Sequence, residues 1–170
     1  MKKIYFFCFL FIFFAALLTS CKIYRFRDVS IDPNIKTVKV NYIESRGRGT
    51  LNPVLSPQLS ERLRQKITSQ TRLTQVQNDN ANLEISGNVT DYSVTTSGIS
   101  QQQAASNRLT VSVHINVKNR VDDKKSFEAD VSRNFDFSAS LSLDQVQAQL
   151  TGTIVQNLTD EIFNRIFSNW

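Results

Sequence analysis

Cysteine and histidine are almost missing from this chain: Cys8 and Cys21 are its two cysteines and His114 its one histidine. That scarcity excludes the usual clustered zinc sites and leaves no second histidine or free thiol to build a nucleophile dyad around His114. No G-x-S-x-G elbow occurs, and "SRGRGT" (45–50) lacks the G-x-x-x-x-G-K-[ST] spacing of a phosphate-cradling loop. Asp122 and Asp123 adjoin Lys124 and Lys125, where turn chemistry and solubility account for them. An enzyme is therefore not expected. Long apolar runs are also lacking, since the one candidate, Ile4 to Leu18, has 15 residues. A helix rising about 1.5 Å per residue needs roughly 20 to cross a bilayer core.

What is there at the amino terminus is an export signal. Met1-Lys2-Lys3, the short apolar run and the small residues that follow it have the three-part form of a signal peptide. Leu18-Thr19-Ser20-Cys21 also fits the lipobox cut by the lipoprotein signal peptidase. On that reading residues 1–20 are removed, Cys21 becomes the first residue, and acyl chains are its only covalent additions; no other cofactor is expected. Each buried methylene holds by about 0.8 kcal/mol, so two or three chains anchor firmly. The alternative is an ordinary secretory signal cut near Ser20 with a chance cysteine beyond it. Either way Cys8 is lost, no intramolecular disulfide can form, and the exported part must stand on its core alone.

Charge is scarce and unevenly placed. Residues 22–72 hold 11 Lys and Arg against 4 acids, while residues 73–170 hold 7 against 11. Export excludes nucleic acid as the partner of the basic third and points to an anionic lipid head group or an acidic protein surface. From Lys22 onward, Ser, Thr, Asn and Gln supply 55 residues against 33 charged ones. A freely diffusing domain usually carries more charge on its surface. Such a polar, weakly charged surface suits enclosure by another polar surface, where each charge would need a partner; compositional drift is the other explanation.

Periodicity orders the elements. Residues 21–34 read as the lipidated cysteine and a tether, with Tyr24 and Phe26 placed either on the domain or at the head groups, and residues 35–170 as one domain. "KTVKVNYI" (36–43) alternates like a strand, and "ESRGRGTLNP" reads as a loop. A helix follows, expected to start with Ser56 as N-cap and Pro57 as its first residue, burying Leu59, Leu63 and Ile67. "RLTQV" (72–76) suggests a brief strand. "NLEISGNVTDYSV" (82–94) shifts parity between Val89 and Tyr92, which with Gly87 suggests a bulge or bend. Residues 95–107 read as a polar, mobile loop. Leu109 to Val117 and Phe127 to Phe137 alternate as an antiparallel hairpin. Ser142 and Gln145 form a capping box, with Leu141 able to staple onto Val146, before a helix of about 25 residues that buries Val146, Leu150, Ile154, Leu158, Ile162 and Ile166, with Val155 and Phe163 beside them. The expected fold is α+β, a two-layer sandwich of two helices on one face of a mixed, mainly antiparallel sheet of about four strands.

The lipobox, "TVKVNYI", "LSPQLSERLRQKITSQTRLTQV", the hairpin around "RLTVSVHINVKN", and "IFNRIFSNW", in that order, resemble the lipopolysaccharide-assembly lipoprotein family LptE in the form found in Bacteroidetes. The resemblance implies two helices on a four-stranded sheet, an outer-membrane lipoprotein facing the periplasm, and a plug inside the β-barrel translocon LptD that helps deliver lipopolysaccharide to the outer leaflet. Lys22, after the lipid cysteine, is not the acidic residue associated with inner-membrane retention. The competing reading is a lipoprotein scaffold of another envelope assembly machine. Family members bind lipopolysaccharide through basic residues. In this chain Arg46 and Arg48 are the candidates, because a planar guanidinium binds phosphate oxygens in two places; solubility of an exposed loop explains the same pair.

Overall fold

The computed structural model describes residues 31–49, 52–100 and 103–168. Cys21, the signal segment and most of the tether lie outside the described residues. Strands are β1 (Thr37–Gly49), β2 (Thr74–Gln75), β3 (Leu83–Ser100), β4 (Gln103–Asn119) and β5 (Phe127–Ser138), and the helices are α1 (Leu55–Gln70) and α2 (Leu143–Phe167). They form one sheet in the order β2-β1-β3-β4-β5, parallel across β2-β1-β3 and antiparallel across β3-β4-β5. The α+β class and the two helices on a mixed sheet stand as expected. The strand number is five rather than four, because a two-residue β2 pairs through Thr37↔Thr74 and Val38↔Gln75.

The strand alternation sorts side chains as the period of two requires. Val38, Val40 and Ile43 of β1, Leu83, Ile85, Val89 and Tyr92 of β3, Leu109, Val111, Val113, Ile115 and Val117 of β4, and Ala129 and Val131 of β5 are buried. Leu59, Leu63 and Ile67 of α1 and Ile154, Leu158, Ile162 and Ile166 of α2 cover them, each at most 1% exposed. Among the described residues the core cluster, with the half-buried residues against it, runs from Ile31 to Phe167.

Two expected loops are strands. β1 runs through "ESRGRG" to Gly49 because bulges between Val40 and Ile43 and between Ser45 and Arg48 absorb its irregular pattern. Gly47 serves close packing there: a Cβ would lie 3.1 Å from the Asp91 nitrogen. Residues 95–107 mostly belong to a long hairpin in which Thr95 faces Arg108 and Ser100 faces Gln103. Backbone pairing needs no apolar alternation, so a polar strand gave no periodic signal. The parity shift of β3 is a bulge between Val89 and Asp91, opposite Val113 and Ser112.

The two helix starts differ. Ser142 caps α2, accepting from Gln145 N while the Gln145 side chain accepts from Ser142 N at 2.9 Å. The start of α1 departs from expectation: Val54 is the N-cap and gives no side-chain cap, Pro57 sits within the first turn, and Ser56 Oγ is buried without a partner. Asn52 does the work instead, its side-chain oxygen accepting from Val54 N at 3.0 Å.

Candidate functional site

The sheet face away from the helices carries an organised polar surface. Along β4 and β5, five successive facing pairs are hydrogen-bonded side chain to side chain. The Arg108 guanidinium makes a bidentate contact with Asp136, at 2.7 and 2.9 Å. Thr110 donates to Asn134, Ser112 bonds Ser132, His114 Nδ1 lies 2.8 Å from Asp130 Oδ1, and Asn116 donates to Glu128 at 2.6 Å. Side chains two apart on a strand share a face, so alternate polar residues form a ladder by construction. His114 therefore belongs to a structural row, with Glu128 at 3.6 Å on its other side.

Glu84 continues the face across β3, accepting from Asn41 at 3.0 Å and from Arg120 at 2.7 Å. The Asn41 hydrogen bond and then the Arg120 charge hold its carboxyl below the ordinary glutamate range, against the opposing effect of burial. The Arg108 bond likewise lowers Asp136. A polar face already satisfied by itself loses little when water is removed, because few groups are left unpaired.

Among the described residues the cations of the basic third are largely taken up singly rather than gathered into one patch. Lys39 pairs with Asp79 at 2.6 Å, Arg64 donates to the Val40 carbonyl at 3.2 Å, and Lys66 reaches Asp160 of α2 at 2.7 Å over the Phe163 ring. Arg64 and Ser60, whose hydroxyl accepts from Ile43 N at 2.9 Å, thereby satisfy part of the open edge of β1. Arg46 is strongly exposed, at 71%, and pairs with Glu44 of its own strand. Arg48 lies opposite Asp91 of β3. The bulge between Ser45 and Arg48 breaks simple alternation, and both arginines stand on β1 rather than on a flexible loop.

One arrangement escaped the sequence reading. Asn52 is buried and its amide nitrogen points to Tyr92 Oη at 3.5 Å and Thr151 Oγ1 at 3.3 Å. Burial raises the Tyr92 phenol above its ordinary value, with Asn52 and Gln147 as its polar neighbours. No periodicity marks a loop asparagine that joins β3, α1 and α2. Among the described residues no group of His, Cys, Asp or Glu could hold a metal ion, and no helix is long and apolar enough to cross a membrane.

A family model for LptE, described as lipopolysaccharide-assembly, matches residues 35–166. No curated protein matches the chain by sequence. Among solved structures the chain is similar to a minor lipoprotein from Acinetobacter baumannii, at 13% identity and a TM-score of 0.51, covering 79% of this chain and 92% of that one. It is also similar to the hypothetical protein CT253 from Chlamydia trachomatis, at 16% identity and a TM-score of 0.49, covering 78% and 96%. The first likeness is one of fold.

Proposed function

We propose that this chain, which belongs to the LptE family of lipopolysaccharide-assembly proteins, plugs and supports the assembly of an LptD-type β-barrel and helps deliver lipopolysaccharide to the outer leaflet. Proteins of this family are non-catalytic lipoproteins of the outer membrane. The match over residues 35–166 carries the reading, because it spans the sheet and both helices. The self-paired polar face of β4 and β5 supports it: large barrels have polar lumens that can be plugged. Acyl chains on Cys21 hold the domain at the periplasmic side of the outer membrane, and residues 22–34 are the tether. Arg46 and Arg48 present guanidinium groups to the lipopolysaccharide phosphates. The order of segments quoted from the sequence supports the Bacteroidetes form of the family.

Three measurements test this. Mild detergent extraction with the tagged chain is expected to bring down a large β-barrel; its absence argues against the plug. Mass spectrometry of the mature chain is expected to find an acylated cysteine at the amino terminus, and a free Lys22 terminus refutes the anchor. Arg46→Ala/Arg48→Ala is expected to weaken lipopolysaccharide binding, and unchanged affinity removes the two arginines from the site.

A further inference from the structure

We infer that the end of the domain where the tether arrives carries a binding cleft for the phosphate of an anionic phospholipid head group. The cleft, of about 450 Å³, lies between the turn before β5 and the last turn of α2, lined by Lys124, Lys125, Phe127, Glu128, Arg165 and Ile166. Among the described residues the Lys124 and Arg165 side chains have no hydrogen-bond or ion-pair partner. Lys125 has Asp32 at 3.9 Å. Glu128, the one carboxylate among the described residues that line the cleft, is taken up by Asn116 and stands beside His114. The acidic neighbour Asp122 is bound to the turn, accepting from the Lys124 backbone nitrogen. Asp123 opens that turn.

The cleft thus offers cations beside an apolar wall supplied chiefly by the half-buried Phe127 ring, with the buried Ile166 behind it. That combination suits a phosphate attached to an apolar body better than a free anion, because the phosphate meets charge while the adjoining carbons meet the Phe127 ring. Its position selects the source. Ile31 packs against the core and Asp32 reaches Lys125, so the chain enters the domain beside this cleft. Cys21 is ten residues earlier, and that stretch spans at most about 35 Å when fully extended. Head groups of the leaflet holding the Cys21 acyl chains therefore lie within reach. This choice of lipid rests on the anchored reading; the cleft itself does not.

The test uses residues 22–170, which contain every described core residue and lack Cys21, so a failed acylation result and a failed cleft remain separate findings. Phosphatidylglycerol vesicles should bind the protein and phosphatidylcholine vesicles should not. Each cation near an anionic surface is worth roughly a factor of five, so Lys124→Gln/Arg165→Gln should weaken binding roughly thirtyfold. Arg62→Gln/Arg72→Gln, which removes as much charge from exposed positions on and just after α1, should change it far less. Equal losses in the two variants would mean attraction by general charge and overturn the cleft, as would no binding to phosphatidylglycerol. Backbone amide shifts at Lys124 to Glu128 caused by inorganic phosphate, with no vesicle binding, would identify a free-anion site and overturn the lipid assignment.

Discussion

Gly87 shows how narrowly a single residue can be determined by what crosses it. It stands opposite Ile115 in the β3–β4 ladder, and a Cβ at that point would lie 2.5 Å from the His114 carbonyl oxygen. Backbone cannot withdraw without breaking the ladder, so Gly87→Ala should destabilise the domain by about 1–3 kcal/mol, the usual scale of overpacking. Urea unfolding checks this, and an unchanged midpoint would contradict the packing described. Glu84 makes a pH prediction. Its carboxyl is held below its unfolded value, so its contribution to stability is present in full above that value, near pH 4.5, and is lost as the pH falls through the lower folded value. Glu84→Gln should therefore flatten the acid side of the stability profile below about pH 4.5 and leave the shape near neutrality alone. An identical acid slope in both proteins would show that Asn41 and Arg120 do not favour the ionised form.

At the scale of the element, the two helices behave differently although both begin near a serine. Ser142 closes a reciprocal capping box, whereas Ser56 sits inside the first turn of α1 with its hydroxyl buried and unpartnered. Ser142→Ala should cost about 1 kcal/mol. Ser56→Ala removes a hydroxyl that already lacks a bond, and should be neutral or slightly stabilising. Thermal melts of the two variants decide the point; equal losses would restore Ser56 as a cap. The capping box was legible because its signal, S-x-x-Q before an apolar period, is contained in four residues. The α1 start was not, because Asn52 acts through a turn whose other ends are Tyr92 and Thr151, far off in the chain. Arg46 and Arg48 illustrate the same limit: glycines suggested a loop, while pairing with β3 extends β1 to Gly49.

For the whole molecule, the paired face of β4 and β5 is a surface whose enclosure leaves few polar groups unpaired, and it gives the barrel reading a specific test. Ser112→Lys places an unpaired cation in the middle of that face, opposite Ser132. The isolated domain should keep its melting temperature within a degree or two, since surface substitutions rarely exceed about 0.5 kcal/mol. Co-purification with the barrel should fall sharply, because a lone charge carried into an enclosed interface loses its water without gaining a partner. Undiminished co-purification would move the contact elsewhere on the domain. The sequence by itself determined the class of the fold, the buried stripes of both helices, the β4–β5 hairpin, the bulge in β3 and the cap of α2, since each depends on residues close in the chain and on a period of two or 3.6. Only the tertiary structure decided where the strands end, which cations are consumed in internal pairs, that α1 starts at Leu55 behind an Asn52-bonded Val54 rather than from a Ser56 cap, and that Lys124 and Arg165 share a cleft with the chain's point of arrival. Those facts are juxtapositions across tens of residues, which local periodicity does not encode.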